Sequence, residues 1–179
     1  MHIGHCNPWL NPGQHAAFDA ITQAYEDPSQ SQQLFFIHGP GGTGKTFVYN
    51  ALTAKAQLAG HIVLCVAGSG IASQLLLLNG STAHSMLKIP IPCHEDSTCG
   101  VRKQSPLAAL FHAARMIVWD EVSMSHRNVF QAVDRMLMDM RDSPQPFGGL
   151  TVVFGGDFQQ TLPIIQGGSR EQIICACLT

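Results

Sequence analysis

The run FFIHGPGGTGKTF, residues 35–47, sets four glycines, Gly39, Gly41, Gly42 and Gly44, ahead of a lysine and a hydroxyl residue. Lacking a Cβ, glycines let successive backbone N–H groups curl around a large anion. Lys45 adds a point charge, Thr46 adds a hydroxyl able to reach a magnesium ion, and Thr43 lies within the same loop. A helix expected to begin here turns the positive end of its dipole toward the same spot. The spacing Gly39-x4-Gly44-Lys45-Thr46 is that of a P-loop, and the apolar residues Leu34 to Ile37 supply the strand that must precede it. The chemistry offered is the cradling of a triphosphate by Gly39, Gly41, Gly42, Thr43, Gly44, Lys45 and Thr46.

Two further stretches carry groups that such chemistry needs. In MIVWDEVSM, Asp120 and Glu121 stand where an apolar strand leaves the core. Beside a P-loop, Asp120 is expected to hold the hydrated magnesium together with Thr46, and Glu121 to activate the attacking water. A glutamate directly after the metal aspartate favours hydrolysis over transfer to another acceptor. In GGDFQQTLPI, residues 155–164, two glycines precede Asp157, Phe158 and the amide pair Gln159 and Gln160. An amide can donate to a γ-phosphate oxygen and accept from water, so it can register that phosphate; a turn satisfying its own backbone is the other reading.

The elements that must position these groups alternate. A helix is expected near Gln14 to Tyr25, then the strand to Ile37, then a P-loop helix with Val48, Ala51, Leu52 and Ala59 on one face and Gly60 as its stop. HIVLCVA, MIVW and LTVVF read as buried strands, GIASQLLLL as a short helix, and KIPIPCHEDSTCGVRKQSP as a long loop. Residues 128–141 put Val129, Phe130, Val133, Leu137 and Met140 at helical spacing, a core stripe. Near-continuous apolar strands alternating with helices predict an α/β fold with a parallel sheet covered on both faces. The C-terminal ends of its strands then converge on the P-loop crevice.

The bulk numbers constrain less. At 179 residues the chain suits one domain, and with 12% charged residues and a formal net charge of −2 it carries no global electrostatic argument for nucleic acid. No apolar run is long enough to cross a bilayer, and MHIGHCNPWL lacks the regions of a secretory signal, so no membrane partner is expected. The expected setting is intracellular, the nucleus ahead of the mitochondrion, with the six cysteines as reduced thiols. Cys93, His94 and Cys99, with His84 upstream, raise a zinc reading, but their spacing matches no regular finger; Cys175 and Cys177 read as packed thiols.

In order and spacing, LNPGQHAAFDAI, GPGGTGKT, VAGSGIASQLL with STAHSMLKIP, VWDEVSM and GGDFQQTLPI span Leu10 to about Thr179. This series resembles the successive motifs of the Pif-type (petite integration frequency) DNA helicases, in wording nearest the branch carried by Helitron transposons. The resemblance implies a P-loop NTPase with a RecA-like fold that uses ATP and Mg2+ to move on single-stranded DNA, 5′ to 3′, and unwind duplexes. It implies a setting in replication, repair, recombination, telomere maintenance or transposition. It makes Gln14 the reader of adenine and Gln160 the γ-phosphate sensor. Gly68, Ser69, Gly70, Ser73 and Gln74, with Thr82, His84 and Ser85, would touch the backbone of single-stranded DNA, as backbone amides and hydroxyls suit a partner held without sequence preference. Without the resemblance, Gln14 would read as a surface helix residue and His84 as structural.

Two departures stand out. Gln159 occupies a position where many relatives carry arginine. The family also has a second RecA-like lobe whose arginines reach the γ-phosphate, and no such motifs follow GGDFQQTLPI here. The expectation is therefore a single N-terminal motor lobe over residues 1–179 that binds ATP and hydrolyses it slowly. A rival is a truncated lobe that binds nucleotide or DNA without turnover. Another is a P-loop kinase whose acceptor pocket would lie in the stretch from Lys88 to Ser105, with Arg102 and Lys103; Glu121 and the two glutamines speak against it.

Overall fold

The computed structural model describes residues 10–27, 29, 32–77, 80–159, 163, 169, 176 and 177. Helix α1 (Pro12–Glu26) starts where sequence chemistry says it should: the Asn11 side chain accepts from the Gln14 amide, and the Gln14 side chain answers with the Asn11 N–H, both at 2.9 Å. This capping box, with Pro12 in the first turn, satisfies two of the otherwise orphaned N–H groups.

Strands β1 (Leu34–His38), β2 (Ile62–Ala67), β3 (Ser81–Thr82), β4 (Ala114–Asp120) and β5 (Thr151–Gly156) form one sheet in the order β1-β5-β4-β2-β3. Every pairing is parallel. The α/β fold with helices on both faces is thus as expected. The period of two divides the strand side chains between two cores. Val63, Cys65 and Ala67 of β2, Met116 and Val118 of β4, and Val153 of β5 pack with α1 and α2 (Lys45–Leu58) and with Ala72 of α3 (Gly70–Leu75). Leu64, Val66, Ile117, Trp119, Val152 and Phe154 pack with α4 (Ala83–Leu87), α5 (Pro106–Ala113) and α6 (Arg127–Met140).

Several local readings are corrected. Ala59 does not join the buried face of α2; it is the exposed C-cap, and Tyr49 and Ala56 complete that face with Val48 and Leu52. Helix α3 stops at Leu75, because Leu76 turns to extended backbone. Ser81 and Thr82 add a fifth strand too short to show periodicity. Pro106–Ala113 forms α5, capped by Ser105 and only eight residues long. The stripe on α6 is core as read, with Val129, Phe130, Val133 and Leu137 buried and Met140 partly buried against them.

The long loop from Lys88 to Ser105 is fastened to this frame. Arg135 of α6 donates to the carbonyls of Glu95 and Ser97 at 2.8 and 2.7 Å, and Ile89 and Cys99 are buried. Arg141, just past α6, donates to the carbonyls of Phe111, His112, Ala114 and Gly148, tying α5 and the start of β4 to the turn before β5.

Candidate functional site

The parallel arrangement puts the C-terminal ends of β1, β2, β4 and β5 at one edge, and the chemistry-bearing residues follow those ends. After β1 the loop turns through Gly42 (φ 79°) and Gly44 (φ 84°), left-handed conformations that glycine adopts without strain, and α2 begins at Lys45. A crevice of about 400 Å3 is lined by Gly41, Gly42, Gly44, Lys45 and Thr46 on one side and by Asp120, Glu121, Ser123, Gly156 and Asp157 on the other. Groups separated by some 75 residues in the chain therefore share one cavity. The Lys45 ammonium donates to the carbonyls of Gly39 and Pro40, at 2.5 and 3.1 Å.

Asp120 is the last residue of β4 and is 8% exposed. Its Oδ1 accepts the Glu121 N–H at 2.9 Å. Burial holds the Asp120 carboxyl above the usual carboxylate range, with the Glu121 charge adding to that and the Glu121 amide and Lys45 opposing it. Tyr49 of α2 lies against this carboxylate from below; burial, then the charge of Asp120, raises the phenol far above its ordinary value, so it stays protonated. The space it occupies is taken from β5: a Cβ on Gly155 would fall 1.6 Å from the Tyr49 hydroxyl oxygen and 3.0 Å from Asp120 Oδ1.

These facts give a pH prediction. A folded-state pKa above the unfolded one means that Asp120 favours folding in acid and that this contribution is lost as pH rises through the folded value. Ionised Asp120 is therefore a stability liability at neutral pH. Asp120→Asn, which keeps an acceptor for the Glu121 amide, is expected to raise the thermal midpoint at pH 7.5 in magnesium-free buffer. The gain should shrink toward pH of about 3.5, below the unfolded aspartate value. A lower midpoint for the variant at pH 7.5 would refute this account.

Glu121 sits in the left-handed region (φ 54°), where a single 3-10 turn, Val122–Met124, follows β4. Its Oε2 accepts a hydrogen bond from the Ser69 hydroxyl at 2.6 Å. Ser69 is also the N-cap of α3, its Oγ accepting the Ala72 N–H at 3.2 Å. This contact spans 52 residues and no local sequence signal announces it.

Gln14 reaches the P-loop from α1, its Nε2 donating to the Thr43 carbonyl at 3.1 Å. Beside it is a second cavity of about 510 Å3, lined also by Phe36, His38, Gly39, Pro40 and Thr43. Phe36 stacks on His38 and on Phe158, with ring centroids 6.4 and 5.4 Å apart. Sequence alone marks Phe36 only as a strand residue, and the strand it predicts ends at Ile37, before His38. Asp157 accepts the Gln159 N–H at 2.9 Å, so the GGDFQQ stretch does satisfy part of its own backbone. Gln160 lies outside the described residues.

The segment after β2 and the segment after β3 lie side by side, since Ala67 pairs with Thr82. Gly68 and His84 line one cleft together with Ile91, Met124 and His126. Gly70, Gln74 and Ser85 are exposed, and Thr82 caps α4 by accepting the Ser85 N–H. Ser73 differs: it is buried and its hydroxyl donates to the Gly70 carbonyl at 2.8 Å. Burial holds the His84 imidazole below the usual histidine value, which favours the neutral ring.

The loop considered as a kinase acceptor pocket turns elsewhere. Lys103 pairs with Asp139 and Asp142 at 2.8 and 3.5 Å, and neither Arg102 nor Lys103 lines the crevice. Among the described residues no three His, Cys, Asp or Glu side chains gather as a metal set, and Cys93 packs on the core that buries Cys99. No helix among them is long and apolar enough to cross a membrane.

Comparison with known proteins agrees with this layout. The family description of PIF1-like helicases matches residues 9–179. The chain is 32% identical over 139 residues to the ATP-dependent DNA helicase Pif1 of Psychrobacter sp. (strain PRwf-1), covering 76% of this chain and 20% of that protein. It is 26% identical over 170 residues to human ATP-dependent DNA helicase PIF1, covering 94% and 24%. Among solved structures, Bacteroides Pif1 in complex with ADP-AlF3 and single-stranded DNA superposes with a TM-score of 0.75 at 26% identity, over 92% of this chain and 36% of that one. The chain thus spans about a fifth of the curated relatives and about a third of the solved helicase. A match that takes in the P-loop, the Asp120–Glu121 strand end and the segments after β2 and β3 leaves one assignment: the chain belongs to the PIF1-like helicase family.

Proposed function

We propose that residues 1–179 are the ATP-binding lobe of a DNA helicase motor, working with a second RecA-like lobe on single-stranded DNA. The observation that carries this is the shared crevice in which the P-loop faces both carboxylates at the strand ends. Backbone N–H groups of Gly39 and of Gly41 to Gly44, with Lys45, cradle the phosphates of ATP, and Gln14 stands at the P-loop beside the cavity suited to the base. Glu121 takes the proton of the attacking water, and Gln160 senses the γ-phosphate. The all-oxygen pair of Thr46 and Asp120, which line the crevice together beside Gly156, fits a hard cation. These two residues would hold Mg2+, which when bound neutralises charge on the phosphate oxygens.

Gly68, Ser69, Gly70, Gln74, Thr82, His84 and Ser85 form the DNA-facing edge; Ser73 supports it from inside. Unwinding in replication, repair, recombination or telomere maintenance, in the nucleus, belongs to the whole motor. Arginines from the partner lobe are worth roughly 10^3- to 10^5-fold in phosphoryl-transfer rate. The 179-residue chain is therefore expected to retain ATP-Mg and release phosphate slowly, without displacing a DNA strand. Phosphate release with and without oligothymidylate, beside a strand-displacement assay, tests this. Unwinding by the lone chain, or a phosphorylated acceptor in place of free phosphate, would overturn it.

A further inference from the structure

The Ser69 hydroxyl has one proton, and the structure commits it to Glu121 Oε2 at 2.6 Å while the same oxygen accepts the Ala72 N–H. The backbone around this bond is tightly set. Gly68 N–H donates to the Asp120 carbonyl at 2.9 Å, and a Cβ on Gly68 would fall 2.7 Å from the Glu121 carbonyl oxygen. The loop after β2 therefore rides directly on the strand end that carries both carboxylates. Ser69 itself is half-buried, and rotation about one side-chain bond is enough to redirect its hydroxyl.

We infer that Ser69 is a positioning residue that restrains the Glu121 carboxylate, and that a phosphate of single-stranded DNA releases it by accepting the hydrogen bond that the same hydroxyl now donates to Glu121. This rests on the reading of the loop after β2 as DNA-facing. A single donor cannot serve both acceptors, so DNA contact at Ser69 and restraint of Glu121 exclude one another. Linkage makes the coupling reciprocal: whatever removes the Glu121 acceptor must strengthen the contact of Ser69 with DNA. The nucleotide and DNA sites are then joined by one hydrogen bond, with no rearrangement of the sheet.

The reciprocity supplies a test by binding alone. Fluorescence anisotropy of labelled oligothymidylate, at one fixed salt concentration, is measured for the wild-type chain, Glu121→Ala, Ser69→Gly and the double variant. Glycine is a well-tolerated replacement at an N-cap, so α3 should persist. Loss of the Glu121 charge helps any polyanion, and the Ser69→Gly background measures that general effect. Glu121→Ala is expected to tighten DNA binding about tenfold when Ser69 is present and about twofold in the Ser69→Gly background. Equal gains in both backgrounds would overturn the inference while leaving the DNA-facing reading intact. Absence of DNA binding by all four proteins would remove that reading and the inference with it, and retained nucleotide binding would show the P-loop unaffected. Should Glu121→Ala misfold, Glu121→Gly, suited to the positive φ there, repeats the measurement.

Discussion

Lys45→Ala is expected to weaken ATP-Mg binding about a hundredfold or more while leaving the fold in place. The ammonium lies 2.5 Å from the Gly39 carbonyl and 3.1 Å from that of Pro40, so without phosphate it closes the loop on itself. Bound phosphate must draw the same charge away from two neutral carbonyls, which it can do because its own negative charge adds ion–ion attraction to the hydrogen bond. Each bond to a charged partner is worth about 1.5–3 kcal/mol, and losing two accounts for the hundredfold. The variant also leaves the buried Gly39 carbonyl without this donor, a cost of about 1–3 kcal/mol that the whole lobe can bear. Titration with a fluorescent ATP analogue, beside a thermal melt, checks both halves. Affinity within threefold of wild type would mean that the glycine amides and the α2 terminus hold the triphosphate alone.

Glu121→Gln should separate binding from chemistry. The amide has the same shape and still accepts the Ser69 proton at the position where Oε2 now does, so the loop after β2 should hold its place. An amide cannot take a proton from water, and loss of a general base costs about 10^2- to 10^4-fold in rate. Single-turnover phosphate release from radiolabelled ATP, with oligothymidylate present, should fall by that factor while nucleotide affinity stays within about threefold. A rate within tenfold of wild type would place the base elsewhere in the crevice. Comparison with Lys45→Ala is informative because that variant fails at binding and this one at the step after it.

Much of this site is legible in the amino-acid sequence. Gly39 to Thr46 announce themselves because phosphate binding uses backbone at consecutive positions, and Asp120 and Glu121 because a strand must end where they stand. The parallel sheet followed from apolar runs such as IVLCVA, in which Val63 to Ala67 are buried because helices cover both faces of the sheet. Contacts that depend on register were not legible. Ser69 meets Glu121 only because β2 pairs with β4 in the register that puts Ala67 beside Asp120. Phe36 and His38 become cavity lining only once α1 is seated against β1. Ser81 and Thr82 form a strand by pairing with Val66 and Ala67, a partnership that two residues cannot declare by themselves. Ala59 looked like a face residue because helical periodicity continues on paper after the helix has been capped.

The Tyr49 hydroxyl fills the place where any side chain at position 155 would begin. Positions 49 and 155 are therefore epistatic: residue 155 cannot gain a side chain while the Tyr49 ring stands. Phenylalanine at 49 would not relax the constraint, since the ring carbon Cζ itself would stand 2.6 Å from a new Cβ. A lineage enlarging residue 155 must first shrink residue 49, and in doing so it strips the cover from Asp120. The evolutionary freedom of the carboxylate is thus limited by two residues buried beneath it.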